Sequence, residues 1–185
     1  MSNNDNDNKL RIIGGNWRRR KISFPEGNDI RPTPDRVRET LFNWLQFEIS
    51  GTRCLELYAG SGILSMEAFS RGASHITLVE QSRIICSHLT QTMGQLGVRN
   101  DQHSIDCTRA RDFLTSPALI RYDILFLDPP FDSDELEIVE PLIPGVLHDN
   151  SFVYVENSSR PGHTFAGLTR NREGKAGKVF FALYR

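Results

Sequence analysis

Apolar positions along this chain recur in two periods that take turns. Val37, Leu41, Trp44, Leu45 and Ile49 follow one another at helical spacing. Ahead of them Thr33 can cap and Pro34 suits a first helical position, so a helix is expected here, ended by Gly51. Strand-like and helix-like stretches then alternate: strand 53–58, a glycine loop, helix 63–71, strand 75–80, helix 83–96 and strand 102–105. A short helix at 109–114, a strand at 122–127 and a helix at 135–142 continue the pattern. Such alternation needs crossover connections, which predicts a Rossmann-like, doubly wound α/β fold whose mostly parallel sheet carries helices on both faces. The last stretch differs. Residues 151–156 and 178–184 read as two strands joined by a Gly- and Arg-rich segment with no helical pattern, which suits an antiparallel member at the sheet edge.

The N-terminal region stands apart from this alternation. Residues 1–8 are Asn- and Asp-rich and read as a disordered tail. Residues 9–30 read as a basic extension, with short strands at 10–13 and 22–24 stopped by Gly14-Gly15 and Pro25. Residues 31–185 form the main domain.

Length and composition narrow the possibilities. A chain of 185 residues suits one domain with a substantial core. No apolar run approaches the roughly 18–20 residues of a bilayer span, and the polar start MSNNDNDNK is unlike a signal peptide, so a soluble, cytoplasmic protein is expected. A monomer is expected as well. Cys54, Cys86 and Cys107 are odd in number and lack a CxxC pair, which predicts reduced core thiols. The five histidines form no metal-ligand spacing and no constellation with a nucleophile, so no metal is expected.

The formal net charge of −1 hides a segregation along the chain. Residues 9–38 hold nine Lys/Arg against three acids, residues 122–156 hold nine acids and no Lys or Arg, and residues 157–185 hold six Lys/Arg against Glu173. Local potential steers a polyanion, and four consecutive cations, Arg18, Arg19, Arg20 and Lys21, beside Trp17 make a dense candidate patch for nucleic acid.

The chemistry is concentrated where predicted strands end. Glu56-Leu57-Tyr58-Ala59-Gly60-Ser61-Gly62 runs from a strand into a glycine turn, where Gly60 and Gly62 would let backbone amides approach a ligand. The next strand ends in Glu80, followed by Gln81, where a carboxylate can accept both ribose hydroxyls of an adenosine-bearing cofactor. Residue 65 is Ser where a dinucleotide fold would want a third glycine, and no GxxxxGK[ST] is present. Glu56, read as lying in the turn, could accept from an ammonium group, which favours S-adenosylmethionine over NAD. At the end of the third strand Asp106, Arg109 and Asp112 compete for the adenine amino group, with the Arg109-Ala110 backbone beside them.

Leu127-Asp128-Pro129-Pro130-Phe131 closes the fourth strand. Two prolines fix the directions of the preceding carbonyls. The Asp128 carboxylate and the Pro129 carbonyl could then take the two hydrogens of an exocyclic amine and free its lone pair for a sulfonium methyl, with Phe131 stacking on the base. Such a base must be unpaired or flipped.

These residues resemble the bacterial 16S ribosomal RNA guanine-N2 methyltransferases of the RsmD type. The likeness rests on Gly14-Gly15-Asn16-Trp17-Arg18 with Arg20-Lys21, Arg31-Pro32-Thr33, the run from Asp35 to Leu45, Ala59-Gly60-Ser61-Gly62, Glu67-Ala68 with Ser70-Arg71-Gly72-Ala73, and Asp128-Pro129-Pro130-Phe131. It implies a class I methyltransferase sheet of seven strands with the last antiparallel, S-adenosylmethionine as donor, and the N2 amine of one guanine on a small ribosomal subunit or assembly intermediate as acceptor. It also implies that the Arg31–Thr40 segment, with Arg31, Arg36 and Arg38, closes over the site. Arg19 departs from the family, in which glycine is more usual at that point. Two other readings stand beside it: an adenine-N6 DNA enzyme, which should carry a target-recognition insertion this chain has no room for, and an inactive RNA-binding module, which would be expected to lose the glycines or Asp128.

Overall fold

The computed structural model describes residues 9–25, 32–117, 120–130 and 133–185. Arg31 and Phe131, the 1–8 tail and residues 26–30 lie outside the described residues, and the expectations placed on them stay there.

An α/β sandwich forms around one large sheet. Its strands are β3 (Arg53–Leu57), β4 (His75–Val79), β5 (His103–Asp106), β6 (Tyr122–Leu127), β7 (Leu147–Asn157), β8 (Thr164–Phe165), β9 (Leu168–Ala176) and β10 (Val179–Tyr184), in the spatial order β5-β4-β3-β6-β7-β10-β9-β8. The first five of that order run parallel, and β10 lies antiparallel to both β7 and β9. The helices are α1 (Asp35–Trp44), α2 (Ile63–Ser70), α3 (Arg83–Leu96), α4 (Ala110–Leu114) and α5 (Glu135–Val139). A separate hairpin pairs β1 (Lys9–Arg11) with β2 (Lys21–Ser23).

Strand side chains alternate between two cores. Cys54, Ile76, Leu78, Ile124, Phe126, Phe152 and Tyr154 pack on one face under α1, α2 and α3. Leu55, Leu57, Val79, Leu125, Leu127, Val153 and Val155 pack on the other under α4 and α5. Both faces being covered explains why these strands read as continuous apolar runs.

Several boundaries differ from the pattern, each for a local reason. The first helix stops at Trp44, not at Gly51, and the chain turns with the Glu48 and Ile49 amides both donating to the Leu45 carbonyl. Pro34, not Thr33, stands at the cap position, and no side-chain cap bond forms, because the Thr33 hydroxyl is directed elsewhere. The helix expected at 135–142 ends at Val139 and continues as a 3-10 helix over Glu140–Val146, where Pro141 and Pro144 remove amides. The sheet has eight strands where seven are implied, because Ala166 and Gly167, both at positive φ, form a two-residue turn that folds β8 back onto β9. The antiparallel β10 is therefore interior, and the Gly- and Arg-rich segment supplies the edge.

The basic extension is bound into the main core. Ile12 is fully buried, Ile22 nearly so, and Trp17 stacks on Phe69 of α2 with ring centroids 5.2 Å apart. Glu67 of α2, fully buried, accepts from the Ile13 and Gly14 amides and pairs with Arg38 at 2.7 Å. The Ser70 hydroxyl donates to the Gly14 carbonyl at 2.6 Å.

Candidate active site

Strand order reverses between β3 and β6, since β4 and β5 extend one way from β3 while β7 lies beyond β6. In open α/β sheets the crevice beyond the carboxyl ends of the strands at such a switch point is where ligands bind. Four carboxylates gather at this edge. Glu56 is the penultimate residue of β3, Glu80 follows β4, Asp128 follows β6 and Glu156 lies near the end of β7. Glu56 pairs in register with Phe126, Phe126 with Tyr154, and Leu127 with Val155, so Asp128 and Glu156 stand side by side one step further on, on the face that also carries Glu56.

The turn after β3 is tightly built. Tyr58 adopts φ 63°, Gly60 49° and Gly62 69°, and the Tyr58 hydroxyl donates to Glu135 at 2.7 Å. Ala59 and Ser61 are buried. A Cβ on Gly62 would lie 2.7 Å from Leu89 and 2.9 Å from Leu78, so a left-handed turn and close packing against the core both call for glycine here. The Gly60 amide donates to the Glu80 carboxylate, 3.0 Å away, while the other Glu80 oxygen accepts from the Ser82 amide. Glu80 is thereby held at the mouth of the turn, with Gln81 exposed beside it.

Glu56 lies within the strand, not the turn. Its Oε2 accepts from the Ser65 amide at 2.9 Å, and burial pushes its carboxyl up to about 7. These residues fit S-adenosylmethionine better than a nucleotide with a pyrophosphate. The edge offers acidic side chains, which suit a sulfonium and an ammonium and repel a pyrophosphate. At the end of β5, Asp106 is half-buried and its carboxyl is raised by burial; past the strand, Arg109 and Asp112 are exposed and Ala110 is buried at the start of α4. Of the three rivals for the adenine amino group, Asp106 alone is drawn in against the sheet.

The Asp-Pro-Pro loop borders a cleft of about 80 Å³ lined by Pro129, Pro130, Ser133, Leu136, Glu156 and Asn157, among others. The Pro130 carbonyl accepts from the Ser133 hydroxyl at 2.6 Å. Three side chains absent from the expected site, Thr33, Tyr154 and Glu156, enter here. The Thr33 hydroxyl lies 2.9 Å from Glu156 Oε1 and 3.4 Å from Asp128 Oδ2, and the Tyr154 hydroxyl donates to the same Glu156 oxygen at 2.9 Å. Burial, then the charges of Glu156 and Glu56, push the Asp128 carboxyl well above the usual range; burial also raises that of Glu156. Glu156 carried a signal in sequence. In Phe152-Val153-Tyr154-Val155-Glu156 a carboxylate falls on the apolar period of a buried strand.

The cations separate into two groups. Arg18, Arg19, Arg20, Lys21 and Arg36 are exposed, and Arg20 touches the Leu96 carbonyl of α3 at 3.3 Å. Arg19 sits at φ 72°, a conformation that favours glycine. Arg38, expected to meet RNA, is instead fully buried: it donates to Glu67, Asp35, the Arg11 carbonyl and the Thr33 carbonyl. It is a structural tie between α1, α2 and the hairpin. Among the thiols, Cys54 and Cys86 are buried but Cys107 is exposed, because it lies past the last residue of β5. Among the described residues no group of His, Cys, Asp and Glu could hold a metal ion, and no helix is long and apolar enough to cross a membrane.

Residues 10–185 match the family described as conserved hypothetical protein 95. The chain is 38% identical to ribosomal RNA small subunit methyltransferase D of Escherichia coli over 99% of this chain and 93% of that protein. It is 36% identical to the protein of the same name from Haemophilus influenzae, over 96% and 94% of the two. The solved structure of the Escherichia coli methyltransferase yhhF superposes with a TM-score of 0.85 at 39% identity, covering 95% of this chain and 97% of that one. A methyltransferase solved in complex with SAH shares the fold at a TM-score of 0.68 and 15% identity, covering all of this chain and 58% of that one.

Proposed function

This chain belongs to the conserved hypothetical protein 95 family, and from that membership we propose that it transfers a methyl group from S-adenosylmethionine to the exocyclic N2 amine of one guanine in small-subunit ribosomal RNA. It is a ribosomal RNA methyltransferase. In this reading it acts in the cytoplasm as a monomer, on 16S RNA held in the small subunit or an assembly intermediate. The observation that carries the assignment of an amine is the placement of Asp128: an acceptor at the switch-point edge, held on a proline-fixed loop beside carboxylates and the glycine turn.

Each residue then has a task. S-adenosylmethionine supplies an electrophilic methyl on a sulfonium. Glu56 takes its ammonium group, Glu80 its ribose hydroxyls, and the carboxylates at this edge favour its positive charge. The turn residues Tyr58, Ala59, Gly60, Ser61 and Gly62 shape the wall, and Gln81, Arg109 and Ala110 border the adenine. Asp128 and the Pro129 carbonyl accept the two N–H hydrogens of the target amine, which turns its lone pair away from the ring and toward the methyl. Pro130 keeps the loop in that aim and Phe131 stacks on the base. The product amine, positively charged after transfer, gives one proton to Asp128. Arg18, Arg19, Arg20 and Lys21, with Arg31 and Arg36, meet the RNA backbone and hold the base flipped out for the site.

The deciding experiment incubates the protein with labelled S-adenosylmethionine and naked 16S RNA, small subunits or duplex DNA, and identifies the modified nucleoside. N2-methylguanosine in RNA is expected. N6-methyladenosine as the product would overturn the assignment.

A further inference from the structure

Glu156 has no task in the transfer described above, yet it stands beside Asp128 on the same sheet face with one hydroxyl between them. Thr33 Oγ1 is 2.9 Å from Glu156 Oε1 and 3.4 Å from Asp128 Oδ2, so the hydroxyl now points to Glu156 and has Asp128 at the long end of reach. The loop that carries Thr33 is pinned by the Arg38 guanidinium, whose Nε donates to the Thr33 carbonyl at 3.1 Å. Arg38 itself is committed to Asp35, Glu67 and the Arg11 carbonyl. The groups around the acidic pair are Glu56 from β3, Tyr154 from β7 and Thr33 ahead of α1. Two buried carboxyls that share one hydroxyl at 2.9 and 3.4 Å do not both ionise easily, which favours one proton shared between them.

We propose that Glu156 is a positioning residue for methyl transfer: bridged by the Thr33 hydroxyl, it shares one proton with Asp128 and makes Asp128 a stronger base for the target amine. This rests on Asp128 being the amine's acceptor. The exchange balances. Asp128 gives its proton to Thr33 Oγ1 while Thr33 gives its own hydrogen to Glu156, so the hydroxyl is regenerated and the charge of the pair is unchanged. An arriving N–H favours ionised Asp128 and draws the proton to Glu156. After transfer the cationic product amine loses a proton to Asp128, and one proton leaves the pair for water. Glu156 thus acts as the store that frees Asp128 to accept, and its charge, when the proton is elsewhere, keeps Asp128 basic.

The two bridge partners act on Asp128 in opposite directions, and this makes the test sharp. The Glu156 charge raises the Asp128 carboxyl, whereas the Thr33 hydrogen bond lowers it. In the free protein, the titration of the Asp128 carboxyl carbon by ¹³C NMR is expected to move down in Glu156→Gln and up in Thr33→Val, by about one pH unit each. Thr33→Ser should restore the wild-type value. The acid limb of kcat/KM on ribosomal RNA should follow the same shifts, and plateau kcat in Glu156→Gln should fall about tenfold or more with cofactor affinity unchanged. Shifts of the same sign in both variants, or none, would reduce Glu156 and Thr33 to packing. Should Glu156→Gln fail to fold, Thr33→Val against Thr33→Ser decides alone. The NMR titration needs no methyl transfer, so a protein inactive on ribosomal RNA would sink the substrate assignment and leave this test standing.

Discussion

The acidic edge of the sheet and the basic hairpin are both charge clusters, but they are built in opposite ways. At the edge, Glu56, Asp128 and Glu156 come from three strands, lie on one face and are driven by burial toward their neutral forms. On the hairpin, Arg18, Arg19, Arg20 and Lys21 come from consecutive positions and all stay exposed. Buried like charges make protonation the variable, which suits proton transfer. Exposed like charges keep their charge and attract counter-ions, which suits a phosphate backbone. Arg38 and Glu67 join the two regions, since their ion pair ties the hairpin to α1 and to the loop that presents Thr33.

Breaking one side of this contrast at a time should separate chemistry from binding. The largest effect is expected from Asp128→Ala, which should cut kcat by about 10²–10⁴-fold, as for loss of a positioned acid–base group, while isothermal titration still shows cofactor binding. Loss of both together would remove Asp128 from the amine chemistry. Next comes the joint: Arg38→Ala removes the shorter of the two ion pairs of buried Glu67, leaving Arg71 at 3.4 Å, and also removes the guanidinium's bonds to the Arg11 and Thr33 carbonyls, which should cost about 3 kcal/mol in denaturant unfolding. Replacing Arg18, Arg19, Arg20 and Lys21 by Ala should weaken RNA binding and lower the salt slope by up to about four units, read from affinity against salt concentration. An unchanged slope would make the patch plain surface.

Two smaller effects sharpen the contrast. Because the Glu56 carboxyl is raised to about 7, the folded protein holds a proton there that the unfolded chain releases near the ordinary value of 4.5. Its contribution to stability is therefore present below 4.5 and is lost as pH rises toward 7. Cofactor affinity should run the other way, rising through that range as Glu56 ionises to meet an ammonium group, and calorimetry on Glu56→Gln should show that slope flattened. The smallest change is Arg19→Gly. Relieving a left-handed arginine should raise stability by about 0.5–1 kcal/mol in thermal unfolding and reduce RNA affinity slightly.

Local chemistry made much of this protein legible without coordinates. The strand and helix periods marked the parallel half almost residue by residue, because buried strands and amphipathic helices impose different spacings on the same apolar residues: α3 and β6 fall where the pattern puts them. The glycine turn, Glu80 and the Asp-Pro-Pro loop were readable as strand ends because each is a short run of turn or acidic residues directly after an apolar strand pattern. The helix starts and stops were less so. Thr33 has the composition of a cap, but a hydroxyl goes to the strongest acceptor within reach, and two carboxylates more than ninety residues away compete for it.

The order of the elements, the class of fold and the motifs at the strand ends thus follow from local residue patterns. Tertiary structure alone decided which side chains share a site. Strand order and register put Glu156 beside Asp128 and Thr33 between them, and packing turned Arg38 from a surface cation into a buried tie. The physical reason is the same in each case: a charge or a hydroxyl takes its role from its partners and its dielectric surroundings, and both are set by residues distant in the chain.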